Sequence, residues 1–223
     1  MNASAVNEPQ DRHVPDRSGR LPNSAHTSRA WRIHELAPDF RLEDVWALPA
    51  YGERGDFPAL VQGFADGDPA QMPSRLARAL WTIRWKIGGL LGWDDAGAGL
   101  ERRVPTLRER LPQDLLDAPG PDFAILPFTS LYLLDDEFAA EIANGTMHGV
   151  MHLSIVPDGT GRYGVRMAVL VKPNGLFGTA YMAAIRPFRY LIVYPAMMRQ
   201  IEREARRWER DGALLSSQRP SRR

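Results

Sequence analysis

Three observations predict an α+β fold for this chain, in which an antiparallel meander is covered by a helical N-terminal half and packed by a long C-terminal helix. From Phe128 to Lys172 the chain reads FTSLYLL, EFAAEIAN, TMHGVMHLSIV and YGVRMAVLV, apolar runs of strand length separated by an Asn-Gly pair and by the loop PDGTGR. Before them, Leu76, Leu80, Ile83, Ile87 and Leu90 recur at spacings of four, three, four and three behind a Pro73-Ser74 start signal. After them, Tyr194, Met198, Ile201, Ala205 and Trp208 keep the same spacing, and the sheet is the only large apolar surface on which that stripe can be buried.

Taken in order, residues 1–28 are polar and Pro-bearing, without the apolar core of a signal peptide, and are predicted to be a disordered arm. Residues 29–210 read as a single domain and 211–223 as a disordered tail. WRIHEL, with Trp31, Ile33 and Glu35 alternating, reads as a short strand. FRLEDVWALP and GDFPALVQGFA read as short helices or irregular cover on either side of a turn-rich AYGERGD. In the helix from Pro73, Trp81 and Trp85 lie one turn apart at the edge of the apolar stripe. Residues 94–127, rich in Gly, Pro, Asp and Arg, form a covering excursion with one helical patch around Thr106 to Leu116. DDEFAAEIANG is ambiguous: its Asp caps, Ala-rich body and terminal Gly favour a helix on propensity alone. Gly175 to Met198 is apolar apart from Arg186 and Arg189, but two central arginines cost roughly 2.5–3.5 kcal/mol each in a bilayer, so no membrane span is expected.

Composition narrows the function. With 223 residues, 44% hydrophobic and 25% charged, the chain can bury a globular core without staples. Zero cysteines exclude thiol catalysis, disulfides and Cys-zinc sites. The 28 basic and 27 acidic residues leave a net charge of +1, and the arginines at 199, 203, 206, 207 and 210 alternate with glutamates, which argues against nucleic acid as a partner. Only Lys86 and Lys172 are lysines, a bias that fits a GC-rich bacterial genome. The expected location is cytoplasmic.

The segments LYLLDDEFAAEIANGTMHGVMHLSIVPDGTG and VLVKPNGLFGTAYMAAIRPFRYLIVYPAMMRQI resemble domain-of-unknown-function family 2867, with NGLFGTAY and PFRYLIVYP the most specific parts and the likeness running over about residues 29–203. That family resembles the START-like (SRPBCC) helix-grip superfamily. The resemblance implies a curved sheet gripping the C-terminal helix, with a cavity between them, and it makes DDEFAAEIAN a strand. Relatives also occur behind a dinucleotide-binding domain in some oxidoreductases, but this chain has no strand followed by G-x-G-x-x-G, so no nicotinamide function carries over. No cofactor and no catalytic residues are implied.

Within that fold the hairpin can be read as chemistry. A two-residue Asn144-Gly145 turn places Glu141 opposite His148 and Glu137 opposite His152, on one face. Pairing Val156 with Tyr163 adds Met167, Val169 and Val171 to that face and turns Arg166 and Lys172 away. A Glu and a His at about 4.5–5.5 Å between Cβ atoms can serve as an acid-base pair, or simply satisfy each other. His148 and His152, four residues apart on a strand, are about 13 Å apart, too far to share a metal unaided. No nucleophile elbow or Walker loop is present. The leading expectation is a binder of a small, mainly apolar ligand, with His148, His152, Glu137, Glu141, Met167, Trp81, Trp85, Tyr132 and Tyr181 around it. The alternatives are an enzyme using a His-Glu pair for proton transfer on a hydrophobic substrate, and a protein-interaction module; a homodimer fits any of them.

Overall fold

The computed structural model describes residues 19–67, 104–144, 146–199, 201–203 and 206. The helix expected from Pro73 with Trp81 and Trp85, residues 1–18 of the arm and the tail lie outside the described residues. The architecture is α+β. Six strands, β1 (Gly19–Leu21), β2 (Arg41–Gly52), β3 (Thr129–Leu133), β4 (Glu137–Ala143), β5 (Met147–Pro157) and β6 (Tyr163–Pro173), form one open, curved antiparallel sheet in the order β1-β2-β6-β5-β4-β3. The described helices are α1 (Ser24–Thr27), α2 (Ile33–Leu36), α3 (Phe57–Ala65), α4 (Gln113–Leu116) and α5 (Gly175–Phe188), the last followed by a π-helical turn over Arg189–Val193.

The meander of β3 to β6 follows the sequence reading, and DDEFAAEIAN contributes strand β4. Tertiary pairing overrides its helical propensity, because Glu137 to Ala143 is laddered to β5 on one side and β3 on the other. Upstream, the expectations are corrected in three places. WRIHEL is not a strand: Ile33–Leu36 is a helical turn that buries Ile33 and Leu36 together, with Trp31 beside them in the core. FRLEDVWALP is not helix but most of β2, paired to both β1 and β6. Its Pro49, which has no N–H for a ladder, falls in the register shift between Ala47 and Tyr51. Residues 19–28 of the expected arm contain regular structure: β1 pairs with β2, and α1 buries His26.

Both sheet faces are packed. On the first, Val150, Val156, Ala139, Ala168 and Leu170 meet Trp31, Ile33, Leu36, Leu107, Leu111 and Leu115. On the second, Trp46, Met151, Leu153, Ile155, Val165 and Met167 meet Phe57 and Val61 of α3 and Tyr194, with Tyr190, Met197, Met198 and Ile201 packed around them. The C-terminal segment therefore lies on the second face. Of the contacts expected for it, Tyr181, Phe188, Ile192, Met198 and Ile201, the last two are made and Ile192 is partly buried outside that cluster, while the side chains of Tyr181 and Phe188 lie outside the described ones; Leu176 and Leu191 of the same segment are exposed. Pro195 cannot donate to the Leu191 carbonyl, and the π-turn at 189–193 widens the helix where that bond is missing.

Two turns set the strand registers. Asn144 accepts at Oδ1 from the Thr146 N–H (2.9 Å), the Thr146 hydroxyl (2.7 Å) and the Met147 N–H (3.1 Å). That side chain builds a longer loop than a two-residue turn, so Ala143 pairs with His148. Asp158 does the same for Thr160 and Arg162, and left-handed Gly159 and Gly161 (φ 77° and 90°) close the β5–β6 loop one residue tighter than a Val156–Tyr163 pairing needs. Val156 then faces Gly164.

The first of these turns also receives α5. Gly178 packs so closely on the Thr146 carbonyl that a Cβ there would sit well inside contact distance of backbone atoms. Gly178→Ala is expected to destabilise by about 1–3 kcal/mol, the cost of overpacking, despite the better helix propensity of Ala; urea unfolding measures it.

Candidate functional site

Strand alternation puts Glu137 and Glu141 of β4 on the same face as His148 and His152 of β5, as the period of two requires. Directly opposite residues, however, are Glu141 and Val150, and Glu137 and Ser154. The expected pairs are displaced by two residues, which preserves the face, and the carboxyls reach their imidazoles diagonally: His148 Nε2 to Glu141 Oε2 is 2.7 Å and His152 Nε2 to Glu137 Oε2 is 2.9 Å. All four side chains are buried.

The β5–β6 register corrects the rest of the expected wall. His152 faces Ala168 and His148 faces Lys172, a slip of one residue that exchanges the two faces of β6. Met167, Val169 and Val171 therefore lie on the opposite face from the histidines, and Arg166 and Lys172 share the histidine face, bonded to the Ala25 carbonyl (3.2 Å) and to Asp39 (2.8 Å). Met167 belongs to the second core with Trp46 and Tyr194. The histidine wall does not face the C-terminal segment; the N-terminal segment and residues 104–116 cover it.

Each His-Glu pair sits in its own polar network. Glu141 also accepts from the Thr106 hydroxyl and the Leu107 N–H (3.0 Å), while the Phe40 ring stands edge-on to His148 at 4.8 Å. Glu137 also accepts from the Tyr132 hydroxyl (3.1 Å) and the Arg32 N–H (2.9 Å). Tyr132 thus joins the site as expected from the sequence, although as a partner of Glu137. Two further histidines extend the second network: His26 Nε2 lies 3.2 Å from His152 Nδ1, and His34 Nε2 lies 3.0 Å from His26 Nδ1.

Burial raises the Tyr132 pKa, and the neighbouring Glu137 adds to that. Burial pushes Glu137 up, but bonds from His152, Arg32 and Tyr132 outweigh it and hold the carboxyl below its usual range. Burial, helped by the adjacent imidazoles, lowers His26 to about 3, and His34 is lowered chiefly by burial. His26 titrates near 6.5 in the unfolded chain and near 3 in the fold, so between those values the unfolded chain binds a proton that the fold refuses. Stability is therefore expected to be full above about pH 6.5 and to fall as the pH drops toward 3. Urea unfolding at several pH values should show this slope, and His26→Gln should flatten it.

Beside Glu137, a pocket of about 390 Å³ is lined by Arg29, Trp31, Arg54, Asp136, Ile155 and Tyr163 among others. Trp31 is buried, and its indole N–H has no hydrogen-bond acceptor among the described residues.

The second face carries a cluster that sequence reasoning missed. Asp44, fully buried on β2, accepts from Arg189 Nη2 (2.7 Å), from the Tyr194 hydroxyl (2.9 Å) and from the Tyr190 hydroxyl, with Arg20 Nε at 3.7 Å. Burial first, and Asp44 with it, raise both tyrosine pKa values, against the opposing pull of nearby arginines. The Trp46 ring lies 4.5 Å from Tyr194, and its buried N–H also has no acceptor among the described residues.

His26 and His34 carried no local signal, because one lies in the expected arm and the other in the expected strand WRIHEL. PFRYLIVYP does contain Arg189, Tyr190 and Tyr194, but nothing in its local pattern pairs them with a carboxylate 145 residues or more upstream. Trp81 and Trp85 lie outside the described residues, and Tyr181 falls on α5. Among the described residues, no group of three or more His, Asp or Glu is arranged to hold a metal ion, and no helix is long and apolar enough to cross a membrane.

Among known proteins, the family described as "Protein of unknown function (DUF2867)" matches residues 36–196. No curated protein and no solved structure matches the chain.

Proposed function

The chain belongs to the DUF2867 family of proteins of unknown function, and from that premise we propose that it binds a small, mainly apolar ligand between the second sheet face and the C-terminal segment. The observation that carries this reading is Trp46. Its buried indole N–H lacks an acceptor among the described residues, and a buried donor costs about 1–3 kcal/mol unless it is paired. A ligand with one hydrogen-bond acceptor on an apolar body meets that need. Met151, Met167, Met198 and the rings of Tyr190 and Tyr194 offer an adaptable apolar surround, since thioethers and aromatic rings fit irregular shapes. Asp44 and Arg189 tie the segment to the sheet and so fix the spacing of the two walls.

Native mass spectrometry of the purified protein, followed by denaturing extraction, should show a bound small molecule that is released on unfolding. Trp46→Phe should weaken binding about threefold to tenfold, the worth of one neutral hydrogen bond, with circular dichroism unchanged. Undiminished affinity in that variant would reject Trp46 as the contact, and a native mass equal to that of the bare chain would count against the ligand itself.

A further inference from the structure

The first face carries a separate device that does not depend on the ligand reading. We infer that His34, His26 and His152 form a directional proton wire that ends on Glu137 at the wall of the 390 Å³ pocket.

The direction follows from one end of the chain. An ionised carboxylate only accepts hydrogen bonds, so His152 must carry its proton on Nε2, which lies 2.9 Å from Glu137 Oε2. In the neutral form of that ring Nδ1 is a lone pair, and His26 donates to it from Nε2 at 3.2 Å. By the same logic His26 Nδ1 accepts from His34 Nε2 at 3.0 Å. With all three rings neutral they share one tautomer, and the outer acceptor of the line is Nδ1 of His34, a partly exposed residue. The lowered pKa values of His26 and His34 agree with neutral rings at those two positions, and that of Glu137 with an ionised terminus.

Such a line passes a proton without burying an imidazolium. A solvent proton bonds to His34 Nδ1. The Nε2 proton of His34 moves to His26 Nδ1, that of His26 to His152 Nδ1, and that of His152 to Glu137 Oε2. All three rings end neutral as the opposite tautomer, and the carboxylate ends as a neutral acid. The groups that face the terminus are the Tyr132 hydroxyl, the Arg32 N–H and His152, while Arg32 itself is turned to Asp114 and Glu35. A pocket whose wall can exchange a proton with solvent suits a small weak acid, and Arg29 on the same wall matches its anion, while Arg54 is paired with Asp136 at 3.7 Å.

Nitrogen-15 spectra of the imidazoles in the full chain should show Nε2–H tautomers for all three histidines near neutral pH. The His152 ring proton should exchange with solvent faster than the His152 backbone amide, and His34→Gln should slow it by about tenfold or more while amide protection stays the same. Glutamine keeps a donor toward His26 but cannot relay a proton, so a purely structural network would not respond. An Nδ1–H tautomer at His26 or His152, ring exchange no faster than that of the amide, or exchange indifferent to His34→Gln would each overturn the wire.

Discussion

Asp44→Ala is expected to lower the unfolding free energy by about 3–5 kcal/mol, the usual cost of removing one partner from a buried ion pair. The Asp44 side chain is 1% exposed and Arg189 is 15% exposed, so solvent can do little for the guanidinium left behind. The Tyr194 hydroxyl also loses its acceptor, and the link between β2 and the C-terminal segment goes with it. For a chain of this size the change corresponds to a fall of roughly 10 °C in melting temperature. Asp44→Asn keeps an acceptor for the tyrosines and should cost less. The comparison is informative, because a loss equal in both variants would mean that charge dominates the cluster, whereas a small loss in both would mean that the segment is held by apolar packing alone. Scanning calorimetry with circular dichroism of the folded variants measures both.

Glu141→Ala is the second large effect, expected at about 3 kcal/mol or more. Its carboxyl is fully buried and takes bonds from His148 on the neighbouring strand and from Thr106 and Leu107 of a distant segment, three donors from two parts of the chain. Each buried donor left without a partner costs about 1–3 kcal/mol. Glu141→Gln retains one acceptor oxygen and should recover part of the loss. Because this network docks residues 104–116 onto the sheet, the alanine variant should also increase amide exchange around Leu107 and Leu111 before global unfolding. Exchange confined to the β4–β5 hairpin would show that Glu141 stabilises its own strands only.

Face assignments within a hairpin were legible wherever the turn error was even. The reading of Asn144-Gly145 as a two-residue turn misplaced every partner on β5 by two positions, yet strand side chains repeat every two residues, so Glu137, Glu141, His148 and His152 still fell on one face and within reach of one another. The β5–β6 loop was misjudged by one residue, and that odd slip was enough to move Met167 to the wrong side of the sheet and to turn Arg166 and Lys172 away from the face they occupy. Loop geometry is set by where Asp158 and two left-handed glycines close their bonds, which residue types alone do not specify.

Local pattern sufficed for the α+β class, the meander, the helical character of the C-terminal segment and the two His-Glu pairs, because each rests on periodicity or on neighbours in one hairpin. The folded chain alone brought in the long-range partners. His26 and His34 stand more than a hundred residues from His152, and nothing around them marks them for burial; they are ordered because the sheet offers an unsatisfied imidazole nitrogen and an apolar bed for Trp31 and Ile33. Asp44 likewise reads as one more polar residue in a charged stretch until β2 is laid beside β6, which sets it under Arg189, Tyr190 and Tyr194. A buried polar group needs a partner wherever in the chain that partner lies, and contacts at such separations are decided by packing of the whole molecule rather than by local propensity.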